Sequence, residues 1–183
     1  DQDGNPVLKD EGIRRGTTIE KMATLKPAFK EDGVIHAGNS SQISDGSAAL
    51  LIMSAEKAKE LGLKPLARLH TCVLAGADPV MMLSAPIPAT QKALAKSGLS
   101  VGDIGVFEVN EAFAPVPMAW LKDIGADENR LNPNGGAIAL GHPLGMSGAR
   151  LALTAVHELN RTGGRYALCT MCIGVGQGMA MIV

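Results

Sequence analysis

The chain has 183 residues, 46% of them hydrophobic and 19% charged, which suffices for a core that needs neither disulfides nor a metal and excludes fibrous and disordered classes. Its 17 Lys plus Arg nearly balance its 18 Asp plus Glu, which argues against nucleic acid or an acidic membrane surface as a partner. The longest apolar run, residues 48–53, is far short of the ~20 residues of a membrane-spanning helix, and no charged-then-apolar leader opens the chain, so we expect a soluble protein with no membrane partner.

The amino-terminal stretch, residues 1–42, is polar and broken by glycine and proline, which predicts loops with short elements. From residue 43 onward, apolar runs alternate with helical segments, as is typical of an α/β layered domain. We therefore divide the chain into residues 1–42 and 43–183. Because the chain begins at Asp1 in a polar stretch and ends within an apolar run, we expect it to be a piece of something longer.

The larger part begins with a predicted buried strand over residues 48–53 and a helix that Ser54 caps and Gly62 ends. Pro115 and Pro117 are expected to disturb the first turns of a later helix, because proline lacks the backbone N–H. The last two strands have a short glycine-rich connection, which implies an antiparallel hairpin. The further predicted elements are strands over residues 66–75, 104–109, 166–171 and 179–183, and helices over 90–96 (opened by Pro88 and ended by Gly98), 111–123 and 147–160.

Polar, reactive side chains lie at the end of a predicted strand and in a glycine-rich segment. Asn110 follows the strand predicted over residues 104–109, at the carboxyl end where open α/β sheets bind ligands, although an Asn in this place also serves as a helix N-cap. His142 lies in a glycine-rich segment, and Pro143 disfavours helical geometry at His142 and so fixes the direction of its side chain. A single loop histidine is often structural or exposed, but imidazole is also the commonest acid or base near neutrality.

The three cysteines, Cys72, Cys169 and Cys172, are too few and odd in number for a disulfide scaffold, so we expect free thiols in a reducing compartment. Cys169 and Cys172 form a C-x-x-C pair, a pattern found in redox motifs and in half zinc sites. No second pair completes four zinc ligands, so no metal is expected, and strand alternation sends the two side chains to opposite faces. Cys172 stands beside glycines whose N–H groups can stabilise an oxyanion, which makes it the functional candidate.

Three segments together resemble the active-site loops of the thiolases. They are Asn-Glu-Ala-Phe at residues 110–113, Gly-Gly-Ala-Ile-Ala-Leu-Gly-His-Pro at 135–143 and Cys-Ile-Gly at 172–174, with Leu-Lys-Pro-Ala-Phe at 25–29 and Ala-Gly-Asn-Ser-Ser at 37–41 upstream. Their order agrees with that family, as do the spacings of 32 residues from Asn110 to His142 and 30 from His142 to Cys172. The resemblance implies the carboxyl-terminal half of a thiolase. Residues 43–183 would then form a βαβαβαββ layered α/β domain, and residues 1–42 would be a remnant of the CoA-binding loop region.

Thiolases interconvert a 3-ketoacyl-CoA plus CoA with a shortened acyl-CoA plus acetyl-CoA, through an acyl-thioester on a cysteine. The resemblance implies that Cys172 is the acid/base at the α-carbon, which requires an accessible thiolate near pH 7 against a usual pKa of ~8.5. It implies that His142 activates the nucleophile and, with a water held by Asn110, binds a thioester oxyanion, and that the Gly174 N–H belongs to a second oxyanion hole. The nucleophile's Cys-x-Ser-Gly-type segment has no match here, so the isolated chain is expected to be inactive.

The same matching implies contacts to CoA and acyl-CoA, which are substrates rather than cofactors. Plainer interpretations are Phe29 and Phe113 as core residues, Ser41 as a turn residue and Met82 as a gap filler. The resemblance also implies an amino-terminal half in the same or another chain, a homodimer or tetramer of the complete enzyme, and a cytoplasmic location, or a peroxisomal or mitochondrial one in a eukaryote. The implied contacts are Arg14, Phe29, Ala37 and Ser41 toward the nucleotide and pantetheine, and Met82, Ala112 and Phe113 near the thioester.

Two departures border the implied acyl pocket. Ala-Pro-Val-Pro at residues 114–117 replaces the family's Ala-Ala-Gln, and Leu-Ser-Ala at 83–85 replaces a glycine-rich segment. Both leave room for a longer or bulkier 3-ketoacyl chain. The alternatives are a non-catalytic CoA-binding or assembly subunit, a ketoacyl synthase, which would carry His or Asn where Cys172 stands, and a redox protein whose Cys169 and Cys172 form a reversible disulfide.

Overall fold

A single four-stranded sheet organises the computed structural model, which describes residues 1–183. Its strands lie in the order β1-β4-β3-β2. Strand β4 is antiparallel to both of its neighbours, and β2 is parallel to β3. The strands are β1 (Thr71–Gly76), β2 (Val106–Val109), β3 (Ala167–Ile173) and β4 (Gln177–Ile182).

Helices cover both faces of this sheet, because alternate residues of each strand point to opposite sides. Phe107 and Leu168 pack with the helices α3 and α4 on one face. Val106 and Cys169 pack with the long helix α6 on the other. The helices are α1 (Ile19–Ala23), α2 (Ala55–Glu60), α3 (Pro86–Ser97), α4 (Pro115–Ile124), α5 (Ala137–Leu140) and α6 (Leu144–Thr162).

The centre of the core is Trp120 on α4, which is fully buried. Its ring meets that of Phe107 edge-to-face, with centroids 5.2 Å apart. Its indole N–H donates to the Thr90 hydroxyl over 2.8 Å, so the one polar atom of the ring is satisfied. This contact joins α4 to α3 across the sheet face.

Local signals locate the start of α2 and the end of α3 correctly, but α3 begins at Pro86 rather than at Pro88, and α6 begins at Leu144 rather than at residue 147. The Ser54 hydroxyl accepts from the Lys57 N–H at 3.2 Å and caps α2, and Gly98 ends α3 in the left-handed region at φ 72°. The prediction for α4 is wrong at its start, because the helix begins at Pro115 rather than at residue 111. Prolines in a first helical turn displace no hydrogen bond, since those N–H groups have no partner within the helix.

The strand predicted over residues 48–53 is not formed. Leu50, Leu51 and Ile52 are 41%, 82% and 66% exposed, and the segment has no strand assignment. No strand of this chain lies beside it, so its backbone groups find no ladder to join. The α/β layered class is confirmed, but the sheet has four strands where the predicted βαβαβαββ order has five.

The hairpin of β3 and β4 confirms the antiparallel connection predicted for the end of the chain. Its three-residue turn contains Val175 and Gly176, both at positive φ. A side chain on Gly176 would meet the backbone of residues 77–79, so the loop after β1 packs directly against this turn. No helix has both the length and the apolar character needed to cross a bilayer.

Candidate active site

Asn110 lies at the carboxyl end of β2, where it continues the ladder by donating its backbone N–H to the Thr170 carbonyl at 3.0 Å. Its side chain is buried. The predicted position at the strand end is confirmed, but the helix N-cap interpretation is wrong, because α4 begins five residues later. The side-chain oxygen of Asn110 is buried and accepts no hydrogen bond from the chain, so the site contains an acceptor for an additional O–H or N–H group.

His142 lies between α5 and α6, and its backbone N–H donates to the Gln42 carbonyl at 2.8 Å. The preceding Gly141 has φ 89°, and a side chain there would collide with the Ser44 hydroxyl. Glycine is therefore required for the amino-terminal loop to approach the histidine so closely.

Both ring nitrogens of His142 have partners. Nδ1 lies 2.6 Å from the Ser147 Oγ, and Nε2 lies 3.3 Å from the Asn110 Nδ2. The Ser147 hydroxyl donates its own hydrogen to the Pro143 carbonyl at 2.9 Å, so Nδ1 carries the proton and donates to Ser147. Nε2 is then the unprotonated nitrogen and faces the amide N–H of Asn110.

Burial is the main influence on the His142 imidazole, and it lowers the pKa because the charged ring loses hydration. The positive charge of Arg150 lowers the pKa further. Together they favour the neutral ring with Nε2 available as a base or hydrogen-bond partner.

Residues outside the predicted set hold this arrangement in place. Asn132 clamps the end of β2, since its side chain accepts from the Val109 N–H at 2.8 Å and donates to the Val109 carbonyl at 2.9 Å. Glu111 accepts from Asn132 Nδ2 at 3.0 Å and from the Ile138 N–H at 3.2 Å. Ser147 was also missed, although its place four residues after Pro143 is the usual signal for a hydroxyl that bonds back to a helical carbonyl.

The two cysteines of the C-x-x-C pair lie on opposite faces of the sheet, as predicted. Cys169 is buried in the core beneath α6, and Cys172 is half-buried. Burial raises the pKa of both thiols. For Cys172 this shift is opposite to the one that an accessible thiolate near pH 7 requires. Cys172 lies near the end of β3, the parallel neighbour of β2, so it and Asn110 occupy the same edge of the sheet.

The backbone beside Cys172 is glycine-rich for a structural reason. Cys172 is paired with Gly178 on β4, and a side chain on Gly178 would lie 2.7 Å from the backbone carbon of Ala85, at the start of α3. The N–H of Gly174, which begins the hairpin turn, makes no hydrogen bond within the chain and is exposed. It is a free donor two residues from the thiol.

Alkylation should separate the three thiols. With iodoacetamide at about pH 8, we expect exposed Cys72 to react first, Cys172 more slowly and Cys169 only on unfolding, because the thiolate is the reactive form. A raised pKa means a smaller thiolate fraction at this pH, so the Cys172 rate should climb as the pH is raised. Peptide mass spectrometry reads all three sites, and modification of Cys169 before Cys172 in the folded chain would contradict the structure.

The amino-terminal residues predicted to contact CoA gather against the loop after β2. The rings of Phe29 and Phe113 pack edge-to-face with centroids 5.6 Å apart. Ser41 donates both its backbone N–H and its hydroxyl to the Ala112 carbonyl, each at 3.0 Å. Ala37 opens a short helical turn ending at Asn39, whose carbonyl accepts from the Ala114 N–H at 2.9 Å.

Two predicted contacts lie apart from this group. Arg14 bonds to the Gly12 carbonyl and to the Gln42 side chain, each at 3.1 Å, and the Gln42 carbonyl in turn accepts from His142. Met82, at φ 47°, belongs to the loop that packs on the β3–β4 turn, where the Ala77 N–H donates to the Gly176 carbonyl at 2.7 Å. The loop that carries Met82 therefore borders the Cys172 hairpin.

Comparison with models of protein families identifies the family of this chain. The family model described as "Thiolase, C-terminal domain" matches residues 63–183, and "Thiolase, N-terminal domain" matches residues 1–56. The chain belongs to the thiolase family. The division at residues 42 and 43 stays a prediction.

Curated thiolases match along almost the whole chain. The 3-oxoadipyl-CoA/3-oxo-5,6-dehydrosuberyl-CoA thiolase of Escherichia coli (strain K12) is 55% identical over 179 residues, which cover 97% of this chain and 45% of that protein. The steroid 3-ketoacyl-CoA thiolase of Mycobacterium tuberculosis is 53% identical over 181 residues, covering 99% of this chain and 44% of that protein. The chain thus spans less than half the length of these relatives.

Solved thiolase structures share the fold. The crystal structure of the Bacillus anthracis acetyl-CoA acetyltransferase superposes with a TM-score of 0.91 at 46% identity, covering 95% of this chain and 44% of that one. Human mitochondrial 3-ketoacyl-CoA thiolase in complex with CoA gives 0.87 at 44% identity, covering 94% and 44%. The thiolase-like α/β fold implied by the sequence motifs is confirmed.

Proposed function

We propose that this chain is the carboxyl-terminal part of a thiolase that cleaves a 3-ketoacyl-CoA with CoA, or condenses an acyl-CoA with acetyl-CoA. The observation that carries the proposal is the hydrogen-bonded set of Asn110, His142 and Ser147 at the carboxyl end of β2, in a chain of the thiolase family. Cys172, near the end of β3, and Gly174, which follows that strand, lie at the same edge of the sheet. These residues supply an acid, a base and hydrogen-bond donors within one region.

Cys172 is proposed as the acid/base. In thiolysis, the sulfur of the nucleophilic cysteine bonds to C3 of the 3-ketoacyl group, and the bond between C2 and C3 breaks with its electron pair passing to C2. The Cys172 thiol gives a proton to that carbon, which releases acetyl-CoA and leaves the shortened acyl group on the nucleophile. In condensation the same thiolate removes the proton. Burial raises the pKa of this thiol, which favours the protonated form that the cleavage direction needs.

His142 and Gly174 are proposed to act on thioester oxygens and on the nucleophile. Neutral Nε2 takes the proton of the attacking thiol, and the protonated ring then donates toward an oxyanion, together with a water held by Asn110. The unpartnered oxygen of Asn110 suits such a water. The free Gly174 N–H is a donor for a second oxyanion.

CoA is the proposed partner of the amino-terminal residues. Phe29 and Ser41 both contact the loop after β2, Phe29 through the ring of Phe113 and Ser41 through the Ala112 carbonyl. The human relative forms a complex with CoA. Phe29 is 71% exposed despite its apolar ring, as a residue that covers a ligand would be. Arg14, Ala37, Met82 and Ala112 complete the proposed contacts.

The nucleophilic cysteine is proposed to come from an amino-terminal half, on the same or another polypeptide. None of Cys72, Cys169 and Cys172 stands in a Cys-x-Ser-Gly segment. The exposed apolar segment over residues 48–53 gives such a half an edge against which a strand can pair. A homodimer or tetramer of the complete enzyme and a cytoplasmic location remain part of this proposal.

Intact-mass spectrometry before and after a brief incubation with acetyl-CoA tests this function. We expect the 183-residue chain to stay unmodified, and an acetyl adduct to form only on an amino-terminal half in a longer polypeptide or a second chain. A preparation containing that half should then transfer its acetyl group to CoA. An adduct on Cys172 would contradict the proposed roles, and CoA binding without any adduct in the complete preparation would favour a non-catalytic subunit.

A further inference from the structure

A buried charged pair lies next to the site and has no role in the chemistry described so far. Glu108 on β2 has a fully buried side chain, and Arg150 on α6 is 13% exposed. Their nearest atoms, Oε2 and a guanidinium nitrogen, are 3.9 Å apart, too far for a direct hydrogen bond. Both carboxylate oxygens and all three guanidinium nitrogens make no hydrogen bond within the chain.

Folding alone does not account for this pair. Taking two charges out of water is costly, and well-packed apolar side chains of similar size commonly stabilise a core as well or better. A long, imperfectly bonded pair recovers little of that cost by direct contact. Its position relative to the site gives a better explanation.

The Glu108–Arg150 pair lies on the same strand, β2, and the same helix, α6, as the residues that bond to His142. Glu108 precedes Asn110 by two residues on β2, which places both side chains on one face of the sheet. Arg150 follows Ser147 by three residues on α6, which places both on one face of the helix. His142 is hydrogen-bonded between Asn110 and Ser147, so the Glu108–Arg150 pair joins the same strand to the same helix beside it.

The charged groups around Glu108 are mostly acidic, and Arg150 is the positive charge among them. Burial raises the pKa of Glu108 to about 7, and Arg150 opposes the rise, whereas the charges of Glu111 beyond β2 and Glu158 on α6 add to it. The thiol of Cys169 on β3 also feels the Glu108 charge. Arg150 is the one positive charge that acts on Glu108 and Cys169, and it also acts on His142.

We propose that Glu108 and Arg150 form a positioning pair for His142: the Glu108 side chain holds the guanidinium near the imidazole, and the guanidinium disfavours a second proton on the ring, which leaves Nε2 open. The pair touches no substrate and acts only through the histidine. This inference deepens the role proposed above for His142, but its test measures the imidazole and not the reaction, so either idea can fail without the other.

The test is an NMR titration of the isotope-labelled histidines in the 183-residue chain. Two-bond nitrogen–proton spectra identify the tautomer, and the ring-proton shift followed against pH gives the His142 midpoint. Arg150→Met removes the cation and is expected to raise the midpoint. Because the pKa of Glu108 is about 7 and that of His142 is lowered, Glu108 is largely protonated where the imidazole titrates, so Glu108→Gln is expected to leave the midpoint unchanged or to lower it slightly. Simple loosening of the site would hydrate the ring and raise the midpoint in both variants, so shifts in the same direction would overturn the proposal.

Matched variants separate charge from packing. Arg150→Lys keeps the positive charge and should keep the parent midpoint. Arg165→Met removes an exposed guanidinium that lies over the Tyr166 ring just after the same helix, and it should change nothing. Where a single variant fails to fold, the double variant Glu108→Gln/Arg150→Met leaves no unpaired charge and is expected to fold with a raised midpoint. The proposal would be overturned if the double variant kept the parent midpoint. It would also be overturned if Arg150→Lys raised the midpoint as far as Arg150→Met does.

Discussion

Replacing Cys172 with serine in the complete enzyme is expected to slow thiolysis by about 10²- to 10⁴-fold, the usual contribution of a general acid or base. Serine keeps the size of the side chain, but its hydroxyl ionises far less readily than a thiol. The half-buried position of Cys172 near the end of β3 predicts little change in folding. The measurement is the steady-state rate of 3-ketoacyl-CoA cleavage by the variant and the parent enzyme.

The acyl-transfer step gives an internal control for this variant. If Cys172 is the acid/base and not the nucleophile, acetyl-CoA should still acylate the cysteine of the amino-terminal half in the Cys172→Ser enzyme. Cys72→Ser is the matched substitution, because that thiol is exposed on edge strand β1, and it should leave the rate unchanged. A Cys172→Ser enzyme with parental turnover would refute the assignment.

Replacing Trp120 with alanine is expected to lower the free energy of unfolding by about 3–5 kcal/mol, as is typical of a buried aromatic side chain truncated in a core. Trp120 is fully buried and packs on Phe107. Its loss leaves a cavity between α3, α4 and the sheet, and removes the N–H that bonds Thr90. Because domains are stable by only about 5–15 kcal/mol, this loss is a large share of the total free energy of unfolding. Urea denaturation followed by circular dichroism measures the change.

Two further variants test whether the effect comes from packing at this position. Met118 lies on the same helix but is 68% exposed, so Met118→Ala should change the free energy of unfolding by no more than about 0.5 kcal/mol. Trp120→Phe keeps an aromatic ring against Phe107 and should be less destabilising than Trp120→Ala. Equal losses for Trp120→Ala and Met118→Ala would show that the α3–α4 contact does not dominate the core.

The positions of site residues were predictable where one residue type in one local setting carried the signal. Asn110 was expected at a strand end and His142 in a glycine-rich loop, and the structure places them 3.3 Å apart. The spacing of their motifs indicated the family, which supplied the expectation that the two act together. Asn132 carries no such local signal, and the spacing of Ser147 from Pro143 indicates only its bond to the Pro143 carbonyl. The importance of both residues follows from bonds to residues that the fold brings near.

The sequence by itself determined the elements whose causes lie within a few residues. Gly98 ends α3 because glycine adopts positive φ without strain, and the short connection between β3 and β4 forces an antiparallel hairpin. Only the tertiary structure decided that residues 48–53 form no strand, since pairing depends on a neighbouring strand and not on apolar character. It also decided the tautomer of His142, because the proton on Nδ1 follows from the bond between Ser147 and the Pro143 carbonyl. Such outcomes depend on atoms that folding brings together, and no local pattern of residues encodes them.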